Sequence, residues 1–276
     1  MIDLHCHILP QIDDGPKTLK ESIAMARIAV EDGIEILACT PHIYQGVYNN
    51  TAEQIKKATS AFQKILVEEN IPLTLVYASD THIHPDLIKD IQLGHVPTFN
   101  GGRYLLLEPT HHIAPIGFES YVIKMLEEGF VPIITHPERL TYIEKFYDVM
   151  TRLVRKGAWM QITAASFSGR FGALAQRYAF HFLVDGKIAV LATDAHSIKH
   201  RPPILSEAFG IVTHILGEIE AQRLVFDRPS AVLNNTDPKD VIAVPYLLEP
   251  SWSIGPFKRR IKKIQQYSFL KDLNNP

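Results

Sequence analysis

Two histidines, His5 and His7, lie two positions apart in a largely apolar stretch at the start of the sequence. Alternate residues of a β-strand point to the same side, so both imidazoles would face one space. Neutral imidazole is a common ligand of transition metals, and two that share a space can hold one ion. The carboxylates of Asp13 and Asp14 follow on a predicted turn. This stretch therefore predicts a metal site, with a hydrogen-bonded pair of histidines as the alternative.

Similar polar residues recur where later apolar segments end. The whole set of candidate ligands contains five histidines and four carboxylates, namely His5, His7, Asp14, His42, Asp80, Glu108, His136, Asp194 and His196. Each lies at or just beyond the C-terminal end of a predicted strand, and these ends of parallel strands meet at one face of a βα structure. Imidazole and carboxylate together suit zinc, manganese or iron rather than calcium. At three or four ligands per ion, the set is large enough for two or three ions.

Two arginines accompany these candidate ligands in the sequence. Arg139 ends a His-Pro-Glu-Arg segment, and Arg201 lies shortly after an Asp-Ala-His segment. A guanidinium group binds phosphate oxygens through two parallel hydrogen bonds, whereas an arginine taken singly is as often part of a surface ion pair. Because both arginines flank ligands of the same predicted site, we interpret them as phosphate-binding residues.

Predicted strands and helices alternate along most of the chain. Capping boxes at Thr18–Glu21 and Thr51–Gln54 begin two of the helices, and Gly129 and Gly157 follow the ends of two others. Seven predicted strands alternating with helices indicate a parallel sheet, whose closed form is a distorted TIM-like (β/α)7 barrel, one unit short of eight. An open doubly wound sheet is the alternative, but no Gly-x-Gly-x-x-Gly segment follows any predicted strand.

The predicted domain covers residues 1–244, and residues 245–276 form a C-terminal extension that we expect to pack on it. The extension is first rich in proline and aromatic residues and then in basic residues between Lys258 and Lys263. We interpret residues 245–256 as an extended segment over the surface and the basic segment as an exposed helix docked by one apolar stripe. The alternative is a contact for an anionic partner or for a membrane surface.

The bulk composition excludes several classes of protein. A formal net charge of −2 over 276 residues gives no electrostatic reason to expect nucleic acid as a partner. No apolar run reaches the ~20 residues that a membrane span needs. A strand is predicted directly after Met1, where a secretory signal would otherwise lie. We therefore expect a cytoplasmic protein without a transmembrane segment.

The two cysteines do not fit thiolate-based phosphatase chemistry. Cys6 and Cys39 both lie in apolar runs, which predicts buried, reduced thiols. A cysteine-based tyrosine phosphatase needs an arginine six positions after its nucleophile, and those positions hold Ile12 and Gln45. Any phosphatase activity of this chain must therefore use another nucleophile.

The motifs resemble those of the polymerase-and-histidinol-phosphatase (PHP) superfamily. Within it, the chain is similar to the manganese-dependent protein-tyrosine phosphatases encoded with capsule and exopolysaccharide genes. The resemblance covers about residues 1–240 and rests on Met-Ile-Asp-Leu-His-Cys-His-Ile-Leu-Pro, Ile-Asp-Asp-Gly, Thr-Pro-His, Leu-Leu-Glu, Thr-His-Pro-Glu-Arg and Thr-Asp-Ala-His followed by Arg-Pro-Pro. It implies a phosphotyrosine phosphatase whose substrate is the tyrosine-rich tail of a membrane-associated bacterial tyrosine kinase.

The resemblance also implies how the ligands divide among three ions, with manganese expected first and iron or zinc as alternatives. His5, His7, Asp80 and Asp194 would hold the first ion, Asp80, Glu108 and His136 the second, and Asp14, His42 and His196 the third. Asp80 departs from the pattern, because the bridging residue is usually a glutamate after Gly-x, and aspartate is one methylene shorter. The neighbouring His82 and His84 are candidates to compensate for this shorter side chain. The alternative, which we favour, is a surface role for both.

The expected reaction is hydrolysis of a phosphomonoester. A hydroxide generated at the metal site attacks phosphorus in line, while Arg139 and Arg201 hold the phosphoryl oxygens. His42 or His196 would guide a proton. Two other functions stay open on the sequence alone: a phosphatase of a small phosphomonoester such as histidinol phosphate, and a weakly catalytic regulator that binds phosphotyrosine.

Overall fold

The computed structural model describes residues 1–248 and shows an α/β structure in which every strand pairing is parallel. The strands are β1 (Ile2–Cys6), β2 (Ile36–Cys39), β3 (His42–Ile43), β4 (Thr74–Tyr77), β5 (Asp80–His82), β6 (Tyr104–Glu108), β7 (Val131–Thr135), β8 (Trp159–Thr163) and β9 (Val190–Ala192). The predicted α/β class with parallel strands is confirmed.

Helices alternate with these strands along the chain. They are α1 (Leu19–Glu31), α2 (Ala52–Glu68), α3 (Leu87–Gln92), α4 (Phe118–Glu127), α5 (Ile143–Lys156), α6 (Gly172–Val184), α7 (Ser206–Leu216), α8 (Glu218–Gln222), α9 (Arg228–Leu233) and α10 (Pro245–Leu248). Thr18 and Thr51 cap α1 and α2 through complete capping boxes, as predicted. Within residues 1–248, none of the helices combines the length and the apolar character needed to cross a membrane.

The strands form two sheets in which neighbours largely follow the order of the chain. One sheet has the order β1-β2-β4, and the other has the order β3-β5-β6-β7-β8-β9. Only Thr40 and Pro41 separate β2 from β3, and only Ala78 and Ser79 separate β4 from β5, so each pair continues one path from the first sheet into the second. The nine strands therefore occupy seven positions, the number of strands that the sequence predicts.

Within residues 1–248, the first and last strands lie side by side. The backbone N–H of Asp194 donates to the carbonyl of His5 at 2.7 Å, and that of His7 donates to the carbonyl of Ala195 at 2.8 Å. The C-terminal ends of β1 and β9 consequently present their polar residues next to each other.

Apolar packing holds this framework together. All residues of β1, β6 and β7 are buried, which is typical of parallel strands covered on both faces. Helix α5 buries Ile143, Met150, Leu153 and Val154, which recur at helical spacing on one face. Cys6 and Cys39 are free and buried, as predicted.

The domain boundary at residue 244 and the packing of the extension stay predictions. Residues 249–276, which include the basic segment between Lys258 and Lys263, lie outside the described residues. Of the extension, the described part is α10, where the backbone N–H of Tyr246 donates to the carbonyl of Gly186 at 3.0 Å.

Candidate metal centre

The predicted ligands converge at the C-terminal ends of the strands, and the first group surrounds His5. The Nε2 atom of His5 lies 3.1 Å from His7 Nε2, 3.4 Å from Asp80 Oδ2 and 3.3 Å from Asp194 Oδ1. All four side chains are almost fully buried. Donor atoms from β1, β5 and the segment after β9 thus meet around one point, as the resemblance implies for the first ion.

A second group joins Asp80 to Glu108. The register of the sheet pairs His42 on β3 with Asp80 on β5, and pairs His82 on β5 with Glu108 on β6. His42 Nδ1 lies 3.4 Å from Asp80 Oδ2 and 3.5 Å from Glu108 Oε2, while His136 Nε2 lies 3.6 Å from Glu108 Oε1. Asp80 therefore lies between two groups of donors, which is the position of a bridging ligand.

The third group contains Asp14, His42 and His196, which the resemblance assigns to the third ion. Asp14 Oδ1 lies 3.5 Å from His42 Nε2 and 3.3 Å from His196 Nε2. His7 also belongs to this group, because its ring stacks on that of His196 with centroids 3.8 Å apart. A Cβ atom on Gly15 would clash with the carbonyl oxygen of His7, so only glycine lets the turn that carries Asp14 pack against the end of β1.

The unsatisfied polar atoms of the centre fit a bound cation. Among the described residues, both carboxylate oxygens of Asp80 lack a hydrogen-bond partner, as does His196 Nε2. A buried carboxylate without donors is costly unless a cation or another charge compensates it. The converging imidazole nitrogens and carboxylate oxygens are the donors that a divalent transition metal prefers. The residues present therefore fit a divalent metal.

Charges within the centre set the protonation of the candidate ligands. Burial opposes the charged form of His5, but the carboxylates of Asp80 and Asp194 outweigh burial and raise its pKa to about 9. Burial, reinforced by the nearby His196 and His42, holds the pKa of His7 well below its ordinary value. A metal must displace the proton from His5, whereas His7 already presents a neutral nitrogen.

Two residues behind the ligands orient the His-x-His pair. His7 Nδ1 donates to Asp13 Oδ2 at 2.7 Å, and His5 Nδ1 lies 3.0 Å from Gln161 Oε1 on β8. Such partners fix the tautomer and the ring orientation of ligating histidines. Sequence reasoning placed Asp13 on the turn without this role and missed Gln161, for which a polar residue inside an apolar strand was the available signal.

The backbone is unusual at two candidate ligands. His136, directly after β7, has a φ of 34°, and Asp194, two residues after the end of β9, has a φ of 50°. Non-glycine residues rarely adopt this left-handed region, and such conformations cluster at functional sites.

The two predicted phosphate-binding arginines reach the centre together. Arg139 Nη1 contacts Asp194 Oδ2, and Arg201 Nη2 lies 2.5 Å from the same oxygen. Their guanidinium carbons lie 4.2 Å and 5.5 Å from the centre of the Phe171 ring. Burial opposes ionisation of Asp194, but Arg201, His5 and Arg139 outweigh it and hold its pKa well below the ordinary value. Two positive charges therefore lie directly beside the candidate ligands.

His82 and His84 lie outside the convergent groups of ligands. The His82 ring stacks on that of Tyr44 with centroids 4.1 Å apart, and His84 Nε2 lies 3.8 Å from Asp90 Oδ2. This placement favours the alternative named above, in which both histidines have roles outside the metal site.

One residue of the centre escaped sequence reasoning entirely. His111 Nε2 lies 3.2 Å from Glu108 Oε1, and its ring centroid is 5.1 Å from that of His136. Glu108, His111 and His136 form one of the groups whose donor atoms lie within 4.8 Å of one another. His111 follows its strand by three residues within Thr-His-His, where neither periodicity nor a motif singles it out.

Comparisons with known proteins identify relatives of this chain. Residues 1–234 match the family described as capsular polysaccharide synthesis, CpsB/CapC. The chain is 33% identical over 236 residues to the tyrosine-protein phosphatase YwqE of Bacillus subtilis, a match that covers 85% of this chain and 92% of that protein. It is 26% identical over 241 residues to the tyrosine-protein phosphatase CpsB of Streptococcus agalactiae, covering 85% and 99% of the two chains.

The fold of this chain is similar to that of solved structures. A crystal structure from a study of YwqE and of CpsB from Streptococcus pneumoniae, described as unique metal-dependent tyrosine phosphatases, superposes with a TM-score of 0.82 at 32% identity and covers 86% of this chain and 96% of that chain. A β-aspartyl dipeptidase from Fervidobacterium islandicum superposes with a TM-score of 0.50 at 13% identity, covering 84% and 72%, and shares the fold alone.

Proposed function

Since the chain belongs to the CpsB/CapC family of capsular polysaccharide synthesis proteins, we propose that it is a metal-dependent phosphatase that hydrolyses phosphotyrosine in proteins. The observation that carries this proposal is the convergence of nine imidazole and carboxylate side chains at one end of the strands, with two arginines beside them. Metal ligands and guanidinium groups in one site suit the chemistry of a phosphate ester.

The ligands divide among three divalent ions in this proposal. His5, His7, Asp80 and Asp194 hold the first, Asp80, Glu108 and His136 the second, and Asp14, His42 and His196 the third. The ligands are imidazole and carboxylate without thiolate, which suits manganese, iron or zinc. Manganese is the first choice because the resemblance to the manganese-dependent phosphatases implies it. Bound divalent cations make water a nucleophile near neutral pH and offset charge on the phosphoryl oxygens.

The protein's own residues bind and orient the substrate. Arg139 and Arg201 each offer a planar set of N–H donors beside Asp194, and these donors hold the phosphoryl oxygens as negative charge grows in the transition state. The Phe171 ring supports both guanidinium groups from one side. His42 and His196 border the more open side of the centre beside the half-exposed Asp14. Whichever of the two is not committed to the third ion guides a proton to or from the reacting groups.

An aromatic cleft supports an aryl phosphate as the substrate class. A cleft of about 370 Å³ borders Glu108 and is lined by His42, Tyr44, Tyr48 and His82, among others. The ring of Tyr48 lies nearly parallel to that of His42, at an angle of 17° and with centroids 5.6 Å apart. Flat aromatic surfaces favour an aromatic ligand ring. A phosphotyrosine side chain thus has contacts here that an aliphatic phosphate ester lacks.

We further propose that the physiological substrate is the phosphorylated, tyrosine-rich tail of a membrane-associated bacterial tyrosine kinase, and that the protein acts in the cytoplasm. Support comes from the relatives, which are named tyrosine-protein phosphatases, and from the family, which is named for capsular polysaccharide synthesis. The proposal requires neither binding of nucleic acid nor a transmembrane segment in this chain.

The deciding experiment measures phosphate release after metal removal and reconstitution. The chain is stripped with a chelator, reloaded with Mn²⁺, Fe²⁺ or Zn²⁺, and assayed with a phosphotyrosine peptide and with histidinol phosphate. We expect metal-dependent hydrolysis with the higher kcat/KM on the peptide, and no loss after alkylation with iodoacetamide, because both thiols are buried. A higher kcat/KM on histidinol phosphate would favour the small-substrate phosphatase. Peptide binding without turnover in the metal-loaded chain would favour the regulatory protein.

A further inference from the structure

His111 presents a third donor to Glu108 and His136. Its Nε2 atom lies 3.2 Å from Glu108 Oε1, and His136 Nε2 lies 3.6 Å from the same oxygen. Ligand atoms about 2.1 Å from a shared ion and at tetrahedral angles lie about 3.4 Å apart. The two observed distances lie on either side of this spacing, and the donor atoms of all three side chains lie within 4.8 Å of one another.

The loop that carries His111 is anchored by its backbone. Thr141 donates to the carbonyl oxygen of His111 through its backbone N–H at 3.0 Å and through its hydroxyl at 3.2 Å. The Tyr142 hydroxyl donates to the carbonyl oxygen of Thr110 at 2.8 Å. Only 29% of the His111 side chain is exposed. Because folding already orders this loop, little further entropy is lost when the imidazole binds a ligand.

Asp80 belongs to groups of donors that do not contain His136. The convergent groups combine Asp80 with His42 and Glu108, and separately with His5 and His7. His136 is combined with Glu108 and His111 in one group and with His5 and Asp194 in another. An ion near Glu108 and His136 consequently has a third donor in His111, which forms one convergent group with both of them.

We propose that His111 is a metal ligand, completing with Glu108 and His136 the site of one ion in this centre. The proposal rests on the metal-dependent function proposed above and adds to it a ligand from the loop after β6. The added donor is an imidazole nitrogen, so the site takes a transition-metal ion such as Mn²⁺, Fe²⁺ or Zn²⁺ in preference to Ca²⁺ or Mg²⁺, which select oxygen donors.

The neighbouring His112 supplies a matched control. It is exposed, and its ring centroid lies 6.3 Å from that of His111. His111→Asn and His112→Asn are the same substitution at adjacent positions of one loop, so only the contact with Glu108 and His136 distinguishes them. His111→Asp is a third variant, because a carboxylate at this position can still donate an oxygen to the ion.

The test measures metal binding of the full chain directly. Metal content after equilibration with limiting Mn²⁺ is determined by elemental analysis, and the visible spectrum of the Co²⁺-substituted protein reports the coordination geometry. We expect His111→Asn to weaken the binding of one ion by about 10-fold or more and to change the Co²⁺ spectrum. His112→Asn should leave both measurements unchanged, and His111→Asp should restore metal content.

The outcomes separate this inference from the proposed function. If the unaltered chain binds metal and hydrolyses phosphotyrosine, while the Asn variants at positions 111 and 112 match it in metal content and Co²⁺ spectrum, His111 is not a ligand and the proposed function stands. If the unaltered chain binds no divalent ion, both proposals are overturned. Circular dichroism of each variant establishes that a loss of metal is not a loss of fold.

Discussion

Asp80→Asn is the most direct test of the proposed centre, because this residue lies between two groups of ligands. The substitution preserves the shape of the side chain and removes its charge. Asp80 is fully buried, and its Oδ2 atom lies 3.4 Å from both His5 Nε2 and His42 Nδ1. If the carboxylate bridges two ions, its loss weakens both of them, whereas a merely structural aspartate would leave metal binding intact.

The expected loss of metal affinity follows from the position of Asp80 between two groups of ligands. Removing a hydrogen-bonding partner behind a metal ligand typically weakens metal affinity by about 10- to 100-fold, and a ligand that contributes a full charge is worth at least the upper end of that range. At a free metal concentration of about 100 times the Kd, binding stabilises the folded protein by about 2.7 kcal/mol. A 100-fold weaker variant retains only about 0.4 kcal/mol at the same concentration.

The assay combines calorimetric titration of Mn²⁺ with thermal unfolding, with and without the metal. We expect Asp80→Asn to lose most of the metal-dependent increase in Tm and to hydrolyse a phosphotyrosine peptide far more slowly at any metal concentration. Asp86→Asn is the matched control, since Asp86 is exposed and makes no capping hydrogen bond at the start of α3. The reasoning is refuted if Asp80→Asn keeps the affinity of the unaltered chain for metal and its increase in Tm.

Two further predictions concern arginines. Arg201→Lys should lower kcat/KM on a phosphotyrosine peptide by about 10- to 100-fold at unchanged metal content, because lysine lacks the planar fork that binds phosphoryl oxygens; equal kinetics with intact metal content would argue against this role. Arg228→Met should lower the free energy of unfolding by about 3–5 kcal/mol, as measured by urea denaturation, because Arg228 is buried and pairs with the buried Glu220 at 2.8 Å. Arg223→Met, which removes a more exposed partner of Glu220, should cost less than about 1 kcal/mol, and equal losses would contradict the argument from burial.

Local patterns were sufficient to predict most of the framework. The capping boxes at Thr18 and Thr51 depend only on residues three positions apart, and both are present in full. The apolar runs of β1, β6 and β7 are buried throughout, so the pattern of hydrophobic residues alone identified them. Such features need no knowledge of which elements meet in the folded chain.

The breaks in two strand paths were harder to predict. Pro41 has no backbone N–H to donate to a sheet, and the ladder of β2 ends shortly before it. Pairing then resumes for His42 and Ile43 against β5 in the other sheet. The sequence predicts the end of the first segment but not the resumption, because a strand of two residues is defined by its partner rather than by its own pattern.

The difference between local patterns and contacts with distant partners also explains which parts of the centre were predicted. The nine candidate ligands could be named because each follows a recognisable strand, and parallel strands bring their C-terminal ends together. His111 and Gln161 were missed because their roles depend on distances across the fold. His111 meets His136 across 25 positions of the chain, with ring centroids 5.1 Å apart, and Gln161 meets His5 across 156 positions.

Gln161 and Asp13 show how the fold prepares this centre for a metal. A histidine that ligates through Nε2 carries its hydrogen on Nδ1, and an acceptor at Nδ1 favours that tautomer. Asp13 provides such an acceptor for His7 and Gln161 provides one for His5, both within buried surroundings. The rings of the His-x-His pair are therefore oriented by contacts that form when the turn after β1 and strand β8 pack against β1. Folding itself thus supplies much of the order that metal binding requires, which is why residues that never touch an ion can still set its affinity.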